Sequence, residues 1–243
     1  MSEHEISKHT KAIYKVWSHP GLSWKQKLRE VIIEIFIIVF AISLSLLVER
    51  WRENKHERTI EKEFLTGLRI DLKNDLEQEN RDSLSYARIL QAWRYFRMEG
   101  IKGDTVHTDS IRKYIGTLMD ITSFIPNNSR YEGLKSSGQL GVIRDQEILN
   151  LMLDLYQYKI KSLALTTDFI NQNRTNFMIP YIQEKLVVHK DNKTNLQQLF
   201  LDPKMQNYLI IGESSQGAME RYGIVMVQTR KIIQLIDREY PGD

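Results

Sequence analysis

Cysteine is absent from the 243-residue chain, which excludes a disulfide framework, a thiolate metal site and a cysteine nucleophile together. Proline is scarce: there are five, none of them between Pro20 and Pro126, so nothing in that stretch is barred from a helix by ring geometry. Glycine is thin there too, with only Gly67 between Arg50 and Gly100. A dominant charge is also missing. The 34 Lys and Arg stand against 31 Asp and Glu, and a mean hydropathy of -0.40 excludes a polytopic membrane protein. The small basic excess lies early in the chain, where Lys8, Lys11, Lys15, Lys25, Lys27 and Arg29 face Glu3, Glu5 and Glu30. The remainder is nearly neutral with mixed signs. That is a solvated surface rather than one that tracks phosphates, and it argues against nucleic acid as a partner.

What the sequence does hold is one long apolar run. Val31 to Val48 reads VIIEIFIIVFAISLSLLV, eighteen residues with Glu34 as the single charge and Ser43 and Ser45 as small hydroxyls. A helix of that length spans roughly 27 Å, close to the hydrocarbon thickness of about 30 Å. Its apolar residues occupy every face, whereas a surface helix keeps one polar side. The competing reading is a buried core helix, because the uncharged part, Ile35 to Val48, is shorter. The expectation is a transmembrane helix over 31–48, preceded by a short basic segment (1–30) and followed by a helical soluble domain (49–243). Val48-Glu-Arg-Trp51 lacks a small-residue cleavage pattern, so the helix is expected to remain as an anchor. Trp24 and Trp51 bracket it, with Arg29 and Arg50 placed to snorkel at the interfaces. The positive-inside rule leans toward a cytoplasmic N-terminus and a periplasmic domain, although Arg50, Arg52, Lys55, Arg58 and Lys62 weigh on the other side. Glu34 admits two readings: an intramembrane carboxylate that couples ions or protons, or one that reaches the headgroups from a turn inside the helix.

From Arg50 the helical pattern continues, with Ile60, Phe64, Leu65, Leu68, Leu72 and Leu76, then Leu84, Ala87, Leu90 and Trp93, at three- and four-residue steps. This predicts a long juxtamembrane helix, kinked near Asn80–Ser83 and ending in a loop over Gly100–Asp104. Thr108 or Asp109 caps a shorter helix through Met119, and Ile125–Ser129 breaks the chain. A short helix then closes on Gly138, and Asp145 caps another with Glu147 in its first turn. Ile148, Met152, Leu155, Tyr158 or Lys159, and Leu163 trace one apolar face toward Phe169 and Phe177, and Pro180 ends or kinks the helix. After a polar loop over 187–195, Asp202-Pro203 starts a helix through Ile210. Residues 215–239 form a last amphipathic helix with Tyr222, Met226, Ile233 and Ile236 on one side. No hairpin signal appears. The predicted fold class is all-α, an N-terminal transmembrane helix continuing into a bundle of about four to six helices.

Nothing in the sequence carries a catalytic pattern, and no cofactor, metal or catalytic residue is expected. His4, His9, His19, His56, His107 and His189 show no metal-ligand spacing. Ser137-Gly-Gln-Leu-Gly141 lacks the Lys-Ser/Thr ending of a phosphate loop, and Ser136 and Ser137 read as a helix C-terminus rather than as nucleophiles. Tyr86, Trp93, Tyr95 and Phe96, with Tyr131, Tyr156 and Tyr158, line a pocket between helices or pack as core. For Trp93, Tyr131 and Tyr156 both readings stay open. Asp71, Asp75, Glu77 and Glu79 read as a solvated face.

Two stretches carry a resemblance. The first is Glu34-Ile-Phe-Ile-Ile-Val-Phe-Ala-Ile-Ser, followed by Trp51-Arg-Glu-Asn and Glu61-Lys-Glu-Phe-Leu65 with Leu68 and Asp71-Leu72. The second is Tyr131-x-x-Leu134-x-Ser136-Ser137-Gly138-x-Leu140-x-x-Ile143 with Asp145, Leu149 and Tyr156. Together they resemble a family of uncharacterised single-span membrane proteins of Bacteroidetes bacteria, a domain of unknown function; the chain departs at Phe40, where that family usually has Gly. The resemblance implies a bacterial envelope protein of the inner membrane and adds no chemistry. The functional expectation is a non-catalytic, membrane-anchored scaffold whose partners are the lipid bilayer and either a second protein or a further copy of itself. The alternatives are an extracytoplasmic ligand-binding sensor and a stator-like ion-coupling subunit using Glu34.

Overall fold

The computed structural model describes residues 24–102, 108–187 and 194–242. Among them the chain is all-α, a long N-terminal helix with an apolar stretch followed by a multi-helix bundle, and no strand forms. The chain divides into two compact units, residues 1–61 and 62–243. The division falls inside the first helix, α1 (Trp24–Lys102), and each unit is taken by itself.

In the first unit the described residues are helical throughout. The apolar run leaves its side chains uncovered, with Phe36 at 68% and Leu47 at 63% exposure. An 18-residue window within it has a mean hydropathy of 3.0, and none of it is buried. Phe36 and Phe40, one turn apart, stack with centroids 6.2 Å from each other, which covers little of this surface. The helix is long and apolar enough to cross a membrane.

The second unit packs the later part of α1 against α2 (Thr108–Met119), α3 (Ser129–Ser136), a 3-10 turn (Gln139–Val142), α4 (Gln146–Asp154), α5 (Ile160–Asn173), α6 (Ile179–Lys185), α7 (Leu196–Leu201), α8 (Pro203–Gly212) and α9 (Ser215–Glu239). Local chemistry sets most of the ends. The Asp145 carboxylate accepts from the backbone N–H of Glu147 and Ile148 at the start of α4, and Asp202 does the same for Lys204 and Met205 ahead of Pro203. Gly138 takes φ +72°, the left-handed turn that releases the chain after α3. Asn195 closes the loop after α6, accepting from Val187 N–H at 2.7 Å and donating to the Lys185 carbonyl at 2.8 Å. Residues 188–193 of that loop lie outside the described residues.

Three expectations need correction. α1 carries no break at Asn80–Ser83 and still includes Gly100, because flanking buried residues such as Leu72, Tyr86 and Ile89 outweigh the weak helix propensity of the polar quartet. Only 103 and 104 of the expected loop remain, and they lie outside the described residues. Leu84 is 56% exposed while Tyr86 is fully buried, so the apolar face of α1 slips by two residues there. Finally, Pro180 does not end its helix. A π turn over Arg174–Met178 widens the backbone just ahead of it, which accommodates a residue without an N–H, and α6 follows.

A second π turn, Leu155–Lys159, joins α4 to α5. Each π turn holds one residue more than a regular turn and so moves the buried face along the sequence. Burial runs through Ile148, Met152, Leu155, Tyr156, Ile160, Leu163, Ile170 and Met178. Tyr158, Phe169 and Phe177, expected on that face, are 70%, 55% and 54% exposed. The core closes on α9 through Tyr222, Val225, Ile232 and Ile236, and on α7 through Phe200, which stacks on Phe96 at 3.9 Å.

Candidate functional site: a buried carboxylate row and an exposed groove

Asp71, Asp75, Glu79, Asp82 and Tyr86 follow one another at steps of four and three along α1, so they share one stripe. Arg130 Nε donates to Asp71 at 3.0 Å. Asp75, 1% exposed, accepts from the Asn127 backbone N–H at 3.0 Å and from its side-chain amide at 2.6 Å. Glu79, equally buried, accepts from the Thr229 hydroxyl of α9 at 3.2 Å, and its second oxygen has no hydrogen-bond partner. The Tyr222 hydroxyl reaches Asp82 at 3.4 Å, and Tyr86 donates to the Thr122 carbonyl at 2.8 Å. The sequence reading of a solvated face therefore holds for Glu77 and is overturned for Asp75 and Glu79. Burial is what their spacing specified: Glu77 lies off the stripe and is exposed.

Desolvation governs the electrostatics of this row. Burial pushes Glu79 from 4.5 up to about 7; the Thr229 hydrogen bond opposes the rise, nearby Asp75 adds to it, and Arg230 counters. Burial also raises Asp75, against the two Asn127 hydrogen bonds, and raises Asp82. The same cause lifts the Tyr86 hydroxyl to about 12 and the Tyr222 hydroxyl further. Chemically the row offers one carboxyl group that changes charge near neutrality inside a helix interface. Neither a nucleophile nor an imidazole stands against it in the hydrogen bonds described above.

A second polar group sits deeper. Thr167, Asn171 and Arg174, one turn apart along α5 and the π turn that follows it, are all buried. Arg174, with no exposed surface, donates from Nε and Nη2 to the Leu118 carbonyl at 3.1 and 2.7 Å. It thereby covers the last turn of α2, whose carbonyls have no partner within the helix. Asn171 donates to the Thr122 carbonyl and the Ser123 hydroxyl. These contacts tie the connector between α2 and α3 to the core. Sequence reasoning missed Arg174, although an arginine in register with Ile170 and Met178 on an apolar face was the available signal.

The outer side of α9 meets the α4 end of the first π turn in a groove of about 630 Å³, lined by Leu151, Lys159, Gly223, Ile224, Val227 and Gln228 with Glu220 and Lys231 at its edge. Ile224 and Val227 are 53% and 66% exposed. The floor is satisfied: Gln228, 6% exposed, donates to the Leu151 carbonyl at 2.6 Å. A smaller hollow of about 270 Å³ continues it past Tyr158 and Ser162, sharing Lys159, Glu220 and Ile224. Charged side chains rim an apolar centre, which is the anatomy of a docking surface.

The residues singled out from sequence fall into separate places. Tyr131 and Tyr156 come together, their rings stacked at 4.5 Å and 12°, with Gln157 donating to the Tyr131 hydroxyl. Trp93 lies elsewhere, so tightly against α8 that a Cβ on Gly212 would come within 0.6 Å of its ring. All three rings are buried in the core cluster. In the first unit, Trp24, Arg29, Arg50 and Trp51 are exposed and Glu34 is half-buried. His56 is exposed; His4, His9, His19, His107 and His189, the basic residues up to Lys15, and the side chains of Lys27, Thr108 and Asp109 lie outside the described residues. Among those described, no three His, Asp or Glu are grouped as metal ligands.

Comparison with protein-family models, curated proteins and solved structures finds no match for this chain. The functional reading therefore rests on the residues alone.

Proposed function

We propose that the chain is a membrane-anchored interaction protein, non-catalytic, whose helical bundle docks another protein through the α4–α9 groove. The observation that carries this reading is the uncovered apolar centre of the groove, Ile224 and Val227 beside Leu151, on a helix whose other face is fully committed to the core. Monomeric proteins seldom leave such a patch in water. The anchor is the apolar run of 31–48, whose exposed side chains match a hydrocarbon environment. A bacterial inner membrane, a cytoplasmic N-terminus and a periplasmic bundle complete the proposal, as does membership of the single-span Bacteroidetes family. The aromatics that a ligand sensor would use, Trp93, Tyr131 and Tyr156, are taken up by packing, which supports docking over small-molecule sensing. An ion-coupling role for Glu34 has no observation behind it beyond the residue's position.

Two measurements test the proposal. Alkaline carbonate should leave the chain in the membrane fraction, and release of the chain would remove the anchor. A photo-crosslinking residue at Val227 in intact membranes should give a protein adduct that the same group at exposed Glu77 does not. Equal labelling from both positions, or none from Val227, would remove the docking site.

A further inference from the structure

The outward stripe of α9 is complementary to itself when two copies run antiparallel. Glu220, Ile224, Val227 and Lys231 are spaced four, three and four apart on one side of the helix, the spacing of a coiled-coil seam. All four are solvent-exposed. Reversing the stripe about a two-fold axis between Val225 and Met226 sets Ile224 of one copy opposite Val227 of the other, and Glu220 opposite Lys231. Each match occurs twice, as a two-fold interface requires. From this charge and apolar complementarity we infer that the occupant of the groove is a second copy of this chain, joined α9 to α9. The inference rests on the docking reading above and names its partner.

The surroundings fit. Gly223 lies mid-helix, where glycine costs roughly 1 kcal/mol relative to alanine, yet nothing lies within 4 Å of where its Cβ would stand. Packing inside the chain therefore gives no reason for a glycine there, while a second helix seated on the groove could approach closely at that point. Lys231 holds Glu147 at 3.0 Å, with both side chains about half exposed, so it can turn to Glu220 of the second copy without leaving a buried charge. Gln216 is the partner of Glu220 within the helix, an exposed contact that exchanges as readily. Two anchored copies would also meet at raised effective concentration within one membrane, which lets a small interface suffice.

The test uses the full chain in detergent micelles, with mass measured by light scattering and affinity by sedimentation. Wild type should dimerise. Glu220→Lys and Lys231→Glu should each weaken dimerisation by about tenfold, because each homodimer places like charges together twice. Mixing the two variants should restore it, because the heterodimer pairs opposite charges at both ends. Ile224→Cys with Val227→Cys, in a chain with no other cysteine, should give an oxidised dimer. A monomeric wild type, or a mixture no tighter than the single variants, overturns the inference. If the wild type is monomeric and Val227 still crosslinks to a different protein in membranes, self-pairing is wrong and docking stands. If it crosslinks to nothing, both fall.

Discussion

Replacing Glu79 by Gln isolates the cost of holding a carboxylate in the core. Glu79 sits 1% exposed between α1 and α9 with one oxygen hydrogen-bonded to Thr229 and the other without a hydrogen bond. Burial raises its folded value from 4.5 to about 7. A folded value above the unfolded one means that the proton favours the folded chain. The contribution is therefore fully present below about 4.5 and is lost as the pH climbs through about 7. At 1.36 kcal/mol per unit the loss is on the order of 3 kcal/mol by pH 8. Gln keeps the shape and can still accept from Thr229, but it carries no charge to desolvate. Glu79→Gln should thus match wild type near pH 5 and exceed it increasingly toward pH 8, by up to about 3 kcal/mol, or roughly 6–12 °C in Tm for a unit of this size. Thermal unfolding of the full chain in micelles, followed by circular dichroism at half-unit pH steps, measures the difference directly. Asp75, Asp82, Tyr222 and Arg230 are common to both proteins, so their own titrations largely cancel. A Gln variant that is less stable at every pH, with a gap that does not change between 5 and 8, would refute the reasoning. It would mean that Glu79 is ionised and well paired at neutrality.

Three further substitutions probe the frame around the row. Arg174→Leu leaves the Leu118 carbonyl without its two donors and should lower stability by about 1–3 kcal/mol, with amide exchange quickening first at the end of α2. Gly212→Ala drives a methyl group into the Trp93 ring and should cost about 3 kcal/mol or more, read as a lowered urea midpoint. Asp145→Ala removes the acceptor for Glu147 and Ile148 N–H and should cost about 1 kcal/mol, a Tm drop of roughly 2–4 °C.

The parts of the fold that were legible in advance are those set by neighbours in sequence. Asp145, Asp202-Pro203 and Gly138 mark helix ends because a carboxylate, a ring or a missing Cβ acts within a few residues of itself. The apolar run of 31–48 is equally local, being a matter of length and composition. What escaped was set by partners far along the chain. Asp75 and Glu79 look like any surface acids until Asn127 and Thr229 arrive from other elements, and Arg174 has meaning only beside the last turn of α2. The groove was illegible for the same reason: the exposure of Ile224 and Val227 depends on where α4 stops covering α9. Phe169 and Phe177 failed differently. A steady 3.6-residue period was carried across backbone that does not keep it.

That failure has a consequence for how this chain tolerates change in length. The π turn at Leu155–Lys159 stores one residue above the regular count, so deleting a single residue within it would leave an unbroken α-helix and a perfectly plausible sequence. Every side chain downstream, however, would turn by about 100° about the axis. Tyr158, Leu165 and Phe169 would swing toward the core, and the polar residues of α5 would lose their partners. The turn works as a phase setting between two halves of one rod, and its loss would be felt as misorientation rather than as a missing contact. An insertion beside it would err by the same angle in the opposite sense.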